Sequence, residues 1–368
     1  MRKSLSLLLL LSLVLCLCAA AHGEDAAVSV TGHVLEIEKY GHARLDLTIE
    51  EFNSAGFALG DVVTVQAGSF TGDMPYLNGY YVESGEYMLR AYPGHEYIAV
   101  CINYGRFADA AGVDVGDEVT LTLKEKAGAL ALQEIYNLVY TTDRADYASD
   151  EVFANFRMVT AGDIAPERLY RSASPVDNQY GRAAYALPLV LDAGVRSVLN
   201  LANTPEWLDE LFSSDNPDVS WYRELYEAGQ VIPLGLPTNY GSDEFAEGIV
   251  RGLTFLSEHD APYLVHCTEG KDRAGFTSMV LEALMGASVE EMEADYMLSF
   301  TNYYGIQPGT ERYELIAAAN IREMMCSVAG LDKRASLEGV DMQAAAVNWL
   351  QAHGMAPDAI TALQEKLR

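Results

Sequence analysis

The stretch Tyr263-Leu264-Val265-His266-Cys267-Thr268-Glu269-Gly270-Lys271-Asp272-Arg273-Ala274-Gly275-Phe276 constrains this chain more than any other. An apolar run enters a short polar loop, and helical spacing begins at the far end and continues to Met285. A strand that feeds directly into a helix belongs to an α/β layer with a mainly parallel sheet. The neighbouring pattern agrees. From about Glu151 onwards, strands are expected at Ser197–Leu201, Val231–Leu236 and Tyr263–His266, with helices at Glu244–His259 and Ala274–Met285. The chain after Ser288 reads as mostly helical, with apolar residues at helical spacing in Met342–Ala352 and Ala359–Leu367.

The first part of the chain follows a different period. Val34–Leu47 alternates about Tyr40-Gly41-His42, which suits a hairpin turn. Further strands are expected at Val62–Gln66, Tyr87–Tyr92, Tyr97–Asn103 and Glu118–Leu123. Phe57-Ala58-Leu59-Gly60-Asp61-Val62 is echoed by Val113-Asp114-Val115-Gly116-Asp117-Glu118, each a Gly-Asp turn leading into a strand. Such an echo suits a pseudo-symmetric small barrel. The expected organisation is a signal peptide over residues 1–23, a small all-β barrel-like domain over 24–126, a linking or helical stretch over 127–150, and the α/β domain over 151–368.

Arg2 and Lys3, the apolar Leu5–Leu17 and the small residues at 19–21 have the order of an export signal. The protein is therefore expected outside the cytoplasm, with membrane contact only if this segment is retained. Its removal takes away two bases and no acids, leaving 22 bases against 53 acids. A field of that sign repels polyanions, so nucleic acid is not an expected partner. Cys101, Cys267 and Cys326 remain, too few for a disulfide scaffold. His33, His42 and His95 stand singly without metal-ligand spacing, the acids form no calcium-loop pattern, and the tyrosines mark no site by themselves.

The loop itself carries chemistry. Five residues separate Cys267 from Arg273 at the start of the helix. A loop of that length curling into a helix N-terminus turns backbone N–H groups inward, where they and the helix dipole stabilise a thiolate and a phosphate dianion together. Arg273 adds a planar fork matched to two phosphate oxygens, and Gly270 allows a tight path with no side chain in the way. The implied reaction is covalent, with Cys267 attacking phosphorus and water hydrolysing the phosphocysteine. Thr268, Glu269, Gly270, Lys271, Ala274 and His266 complete the candidate substrate-binding set, His266 as an orienting residue. No metal or cofactor is called for, and no Gly-Lys-Ser or Gly-Lys-Thr of a nucleotide loop is present.

His266 to Gly275 resembles the signature loop of the protein tyrosine phosphatase superfamily, and Gly-Lys-Asp-Arg is similar to the atypical bacterial tyrosine phosphatases that also act on phosphoinositides. Asn155-Phe156-Arg157 and Leu169-Tyr170-Arg171-Ser172-Ala173 resemble the family's opening segment, Gly194–Val198 its first core strand, and Asp295–Ser299 a helix behind the loop. The resemblance implies a protein-tyrosine-phosphatase-like fold from about residue 150, a general-acid role for Asp272 and a place near the pocket for Arg171. Asp243, on the loop after Val231–Leu236, is the alternative acid. The usual hydroxyl residue after the arginine is replaced by Ala274, and the usual Asp-Leu-Arg by Asn200-Leu201-Ala202. The expected activity is hydrolysis of a phosphorylated protein or small phosphate ester, as a protein tyrosine or dual-specificity phosphatase. An inositol-phosphate or phosphoinositide phosphatase, favoured by Lys271, and a catalytically weak phospho-ligand-binding protein, favoured by Ala274 and Asn200, are the alternatives.

Overall fold

The computed structural model describes residues 28–213 and 219–368, so the expected signal peptide lies outside the described residues. They form two units, divided between Leu130 and Ala131.

The first unit is a closed barrel. Strands β1 (Ser29–Ile37), β2 (Ala43–Thr48), β3 (Val62–Ala67), β4 (Phe70–Leu77), β5 (Tyr87–Arg90), β6 (Tyr97–Ile102) and β7 (Glu118–Glu125) pair in the order β1-β2-β6-β5-β4-β3-β7, and β7 returns to β1. Alternation places Val63, Val65, Val119 and Leu121 inside. Closure removes the exposed edges that such short strands would otherwise present. Strand β4 was not among the expected strands because Gly72 and Pro75 interrupt it; Pro75 sits opposite Val62, and β4 then runs parallel to β5.

The Gly-Asp echo is a structural repeat. Short helices α1 (Ile49–Ser54) and α2 (Phe107–Ala111) precede β3 and β7, and the two strands pair with each other. In each copy the aspartate Oδ2 accepts from the N–H three residues earlier, Ala58 to Asp61 and Asp114 to Asp117, both at 2.7 Å. The glycines before them hold φ of +90° and +92°, a left-handed turn that a Cβ disfavours. The copies differ in burial. Asp61 is buried and also accepts from Ala127 N and Lys126 Nζ, both at 2.9 Å, whereas Asp117 is exposed.

The second unit carries a five-stranded sheet in the order β11 (Val231–Pro233), β10 (Ser197–Asn200), β12 (Tyr263–His266), β9 (Leu169–Ser172), β8 (Arg157–Val159). All neighbours are parallel except the edge strand β8. Its helices, in chain order, are α3 (Leu130–Tyr136), α4 (Asp150–Phe153), α5 (Ala183–Asp192), α6 (Pro205–Ser213), α7 (Ser220–Glu227), α8 (Asp243–Glu258), α9 (Asp272–Leu284), α10 (Val289–Tyr304), α11 (Glu311–Ala319), α12 (Ile321–Val328), α13 (Met342–Ala352) and α14 (Pro357–Leu367). Strand alternation divides the core. Tyr170, Val198 and Leu264 pack with Val190, Leu208 and Tyr222 of α5, α6 and α7, while Leu169, Leu199 and Val265 face the larger core built from α8, α9, α10 and the C-terminal helices. Helix α9 is buried around its whole circumference from Ala274 to Leu284, Thr277, Ser278 and Glu282 included.

The difference in burial predicts unequal roles for the two turns. Asp61→Ala breaks the part-buried bonds of Ala58 N and Ala127 N and lowers barrel stability by about 1–3 kcal/mol, against about 1 kcal/mol or less for Asp117→Ala. Urea unfolding followed by barrel-specific hydrogen exchange checks this, and equal losses would contradict it.

Candidate active site

Strand β12 is central in the sheet, between β10 and β9, and its carboxyl end is where ligands of open α/β sheets bind. The alternation of β12 sends consecutive side chains to opposite faces. His266 turns towards α7 and Cys267 into the core that holds α9. Cys267 is 3% exposed, at the floor of the loop that rises into α9.

Side chains behind the loop fix its path. Tyr303 Oη donates to Glu269 O at 2.6 Å, and Asn155 Nδ2 donates to Gly270 O at 3.1 Å and, more weakly, to Glu269 O at 3.3 Å. Arg171 Nη2 donates to Gly270 O at 2.9 Å and Lys271 O at 2.8 Å. In a trans peptide C=O and N–H point in opposite directions. Holding the carbonyls of residues 269, 270 and 271 from behind therefore turns the N–H groups of Gly270, Lys271 and Asp272 inward, around the position above Cys267. This is an anion nest, completed by the N-terminus of α9.

Gly270 has no substitute there. Its φ is +66°, and a Cβ would lie 2.2 Å from the backbone C and O of Ser172.

Arg171, one of the expected substrate-binding residues, stands behind the loop, on the side of its carbonyls. It is wholly buried, and its second job is an ion pair to Asp295 Oδ2 at 2.5 Å. Arg157 holds the other oxygen, Nε to Oδ1 at 2.6 Å, and donates from Nη1 to Asn155 Oδ1 at 2.8 Å. Burial alone would raise the Asp295 pKa, but the two guanidinium groups outweigh it and hold the carboxylate well below its ordinary range. Glu282, fully buried beneath them on α9, is pushed well above the carboxylate range by burial and then by the Asp295 charge.

His266 and Ala274, also of the expected substrate-binding set, are fully buried. Ala274 is enclosed in the first turn of α9 and packs in the main core. His266 is fully buried, with Nε2 2.8 Å from Tyr222 Oη, and that hydroxyl accepts from Asn200 Nδ2 at 3.0 Å. The tyrosine proton is thus directed to Nε2, and the network assigns the imidazole proton to Nδ1, on the side of Cys267 O. Burial, assisted by the Arg273 charge and opposed by the bond to Cys267 O, drops the imidazole to about 3. Asn200, the departure from the family pattern, is the buried anchor of this chain: its Oδ1 also accepts from Ala202 N and Asn203 N.

Arg273, the second residue of α9, folds back over the loop. Nη2 lies 3.3 Å from Thr268 Oγ1, and Nη1 donates to Leu236 O at 3.0 Å. Asp272, the first residue of α9, is partly exposed; Oδ1 accepts from Tyr296 Oη at 3.3 Å and Oδ2 lies 3.5 Å from Lys271 Nζ. Lys271 does not reach into solvent. Its ammonium donates to Tyr304 Oη at 2.9 Å and lies 5.1 Å from the Phe300 ring centroid. Burial opposes its charge, but Asp272 and Tyr304 outweigh that and raise its pKa. Asp243 stays apart, exposed in the first turn of α8 behind the Ser242 cap, with no hydrogen bond or ion pair to the loop among the described residues.

From the same segment it is Tyr240 that reaches the site. It stacks on Phe276 at 5.8 Å, and burial, then the charges of Asp272 and Cys267, push its hydroxyl pKa up. Across the loop Tyr140 donates to Glu269 Oε1 at 2.5 Å and stacks on Tyr303 at 5.5 Å. Sequence reasoning missed this aromatic surround, because tyrosines scattered along a chain carry no spacing signal; only Tyr296, within the segment Asp295–Ser299, was signalled. Among the described residues no group of His, Cys, Asp and Glu is placed to hold a metal ion.

Residues 153–368, more than half of the chain, match the family model described as the tyrosine phosphatase family. The chain belongs to the tyrosine phosphatase family. Two solved structures are similar to this tyrosine phosphatase family member. An uncharacterized conserved protein from Thermotoga maritima is 19% identical with a TM-score of 0.24, covering 28% of this chain and 41% of its own. The core catalytic domain of the PP-IP phosphatase SIW14 from S. cerevisiae, in complex with citrate, is 18% identical with a TM-score of 0.27, covering 48% of this chain and 91% of its own. Among curated proteins none matches.

Two outcomes follow for this family member. Gly270→Ala forces the loop away from Ser172, and phosphatase turnover falls by about 10²-fold or more while far-UV circular dichroism is retained; unchanged turnover would contradict the nest. The unfolded chain protonates His266 near pH 6.5 and the folded chain only near 3, so stability present above pH 6.5 is lost as pH falls towards 3, on the order of 4 kcal/mol in all. Denaturant titrations between pH 7 and 4 should show a shallower acid loss in His266→Gln than in the wild type.

Proposed function

We propose that this chain is an exported phosphomonoester hydrolase working through a phosphocysteine, and that its substrate is a phosphorylated protein, with phosphotyrosine the preferred residue. The observation that carries the reading is the set of outward-held carbonyls of residues 269–271, which leaves inward N–H groups over the Cys267 sulfur. Three N–H groups, the α9 terminus and the Arg273 fork supply the charge that a trigonal-bipyramidal phosphoryl group needs, preorganised before substrate arrives.

In the first step the Cys267 thiolate attacks phosphorus, the bond from phosphorus to the leaving oxygen breaks, and Asp272 gives that oxygen its proton. In the second step water attacks phosphorus, Asp272 takes the proton, and the S–P bond breaks to return the thiolate. Asp272 suits the task by position: it is partly exposed at the first residue of α9, next to Arg273, with Oδ1 held by Tyr296 Oη. The protein substrate is favoured over an inositol phosphate by two features. Lys271, the group that would greet a multiply charged ring, is committed to Tyr304 and Asp272, and the loop is surrounded by Tyr140, Tyr240 and Tyr303.

The test uses the enzyme with chelator present. Cys267→Ser should lower turnover of p-nitrophenyl phosphate by more than about 10³-fold. Asp272→Asn should lower turnover of a phosphoserine peptide, whose alkoxide needs a proton, by about 10²-fold or more, and that of p-nitrophenyl phosphate far less. Turnover surviving in Cys267→Ser would overturn the mechanism, and equal losses on both esters would remove Asp272 from its role. A higher kcat/KM for inositol hexakisphosphate than for a phosphotyrosine peptide would overturn the substrate assignment.

A further inference from the structure

The barrel unit has a cavity of about 770 Å³, lined among others by Lys39, Tyr40, His42, Tyr80, Tyr104 and Arg106. That size suits a ligand of two or three rings. Three features of its wall serve no folding purpose that the barrel core supplies.

Tyr104 is 93% exposed and held at φ +55°, a left-handed conformation that a bulky side chain adopts at a cost of about 1 kcal/mol or more. An aromatic ring kept in a disfavoured backbone and buried against nothing is placed for something outside the chain. Tyr40, 65% exposed, presents a second ring at the same cavity.

His42 is the second feature. It is 5% exposed and lies in the cavity wall, with Nε2 3.1 Å from Tyr80 Oη. Arg90 Nη1 donates to that same oxygen at 2.9 Å, so the Tyr80 proton goes to Nε2 and the imidazole proton resides on Nδ1. Among the described residues Nδ1 has no hydrogen-bond partner. Burial, then Arg90, lower the His42 pKa and keep the ring neutral, so a neutral buried N–H donor stands in the wall without an acceptor.

The third is charge. Arg90 is balanced by Glu38 at 2.8 Å and Arg106 by Asp109 at 2.6 Å. Lys39 has no carboxylate partner among the described residues; its ammonium lies 5.2 Å from the Tyr40 ring centroid. The cavity thus offers one uncompensated positive charge in a chain of formal net charge −29.

We propose that this cavity is a glycan-binding site that takes a short saccharide carrying a single carboxylate. Exposed tyrosine rings stack on the C–H faces of pyranoses, the hydroxyls of Tyr40 and Tyr104 suit sugar oxygens, and Lys39 meets one carboxylate. Loops of small closed barrels hold oligosaccharides or oligonucleotides, and the net charge selects against the polyanion. The same argument selects against a saccharide with a carboxylate on every ring. The matching chemistry occurs in glucuronic-acid-branched xylans and in muramic acid, so the probes separate these sources.

Isothermal titration of the mature protein with glucuronosyl-xylobiose, with the N-acetylglucosamine–N-acetylmuramic acid disaccharide, and with xylotriose tests the site. At least one of the two acidic saccharides should saturate and bind at least tenfold more tightly than xylotriose; which one does so identifies the source. Tyr104→Ala should weaken that binding at least tenfold, and Lys39→Met should bring it to the xylotriose level. Both variants should keep the wild-type hydrogen-exchange protection of the barrel strands, which shows that the barrel is folded. No saturable binding of either acidic saccharide, xylotriose binding equally well, or affinity unchanged in both variants would each overturn the assignment.

Discussion

Everything at the site depends on how the loop carbonyls are held. A tight loop after a parallel strand has no regular ladder to satisfy its backbone, and here Tyr303, Asn155 and Arg171 supply the partners from behind. Peptide planarity converts that into inward N–H groups above Cys267. Arg171 in turn is fixed by Asp295, which Arg157 shares, so a buried ion network is the foundation of a polar nest. Such networks are costly to bury and costlier to break. Their placement directly behind the loop gives them a reason to exist other than stability.

The opposite wall is anchored by neutral groups. Asn200, Tyr222 and His266 form a buried hydrogen-bonded chain from β10 through α7 to the strand that ends at Cys267. Burial keeps His266 uncharged, so no imidazolium stands at the end of the strand beside Cys267. Asn200 in place of the family's usual aspartate fits this neutral chain. Its amide serves as both donor and acceptor, where a carboxylate would only accept.

Much of this was legible in the sequence, for identifiable reasons. Strand β12 and helix α9 were readable because apolar alternation and helical spacing meet at a short Gly-containing loop; the fold puts Cys267 at the floor of that loop and Arg273 in the first turn of α9. The Gly60-Asp61 and Gly116-Asp117 echo was readable because one turn solution was used twice. Strand β4 was not, since Gly72 and Pro75 read as breakers while tertiary pairing overrode them. Arg171 was located near the site, but a sequence motif does not say whether a guanidinium faces a ligand or a carbonyl; the fold turns it to the carbonyls of Gly270 and Lys271. Tyr140, Tyr240 and Tyr303 around the loop come from three distant segments that only the fold brings together.

The central claim is that a covalent bond forms at Cys267. Rapid acid quench of the enzyme during turnover of a phosphotyrosine peptide, followed by proteolysis and mass spectrometry, tests it directly. A phosphoryl group is expected on the peptide that contains Cys267, trapped in greater amount when Asp272→Ala, which slows the second step, is given p-nitrophenyl phosphate, whose leaving group hardly needs the acid in the first. A phosphoryl group found on another residue, or release of phosphate in a single step with oxygen-18 water and no trapped enzyme form, would contradict it.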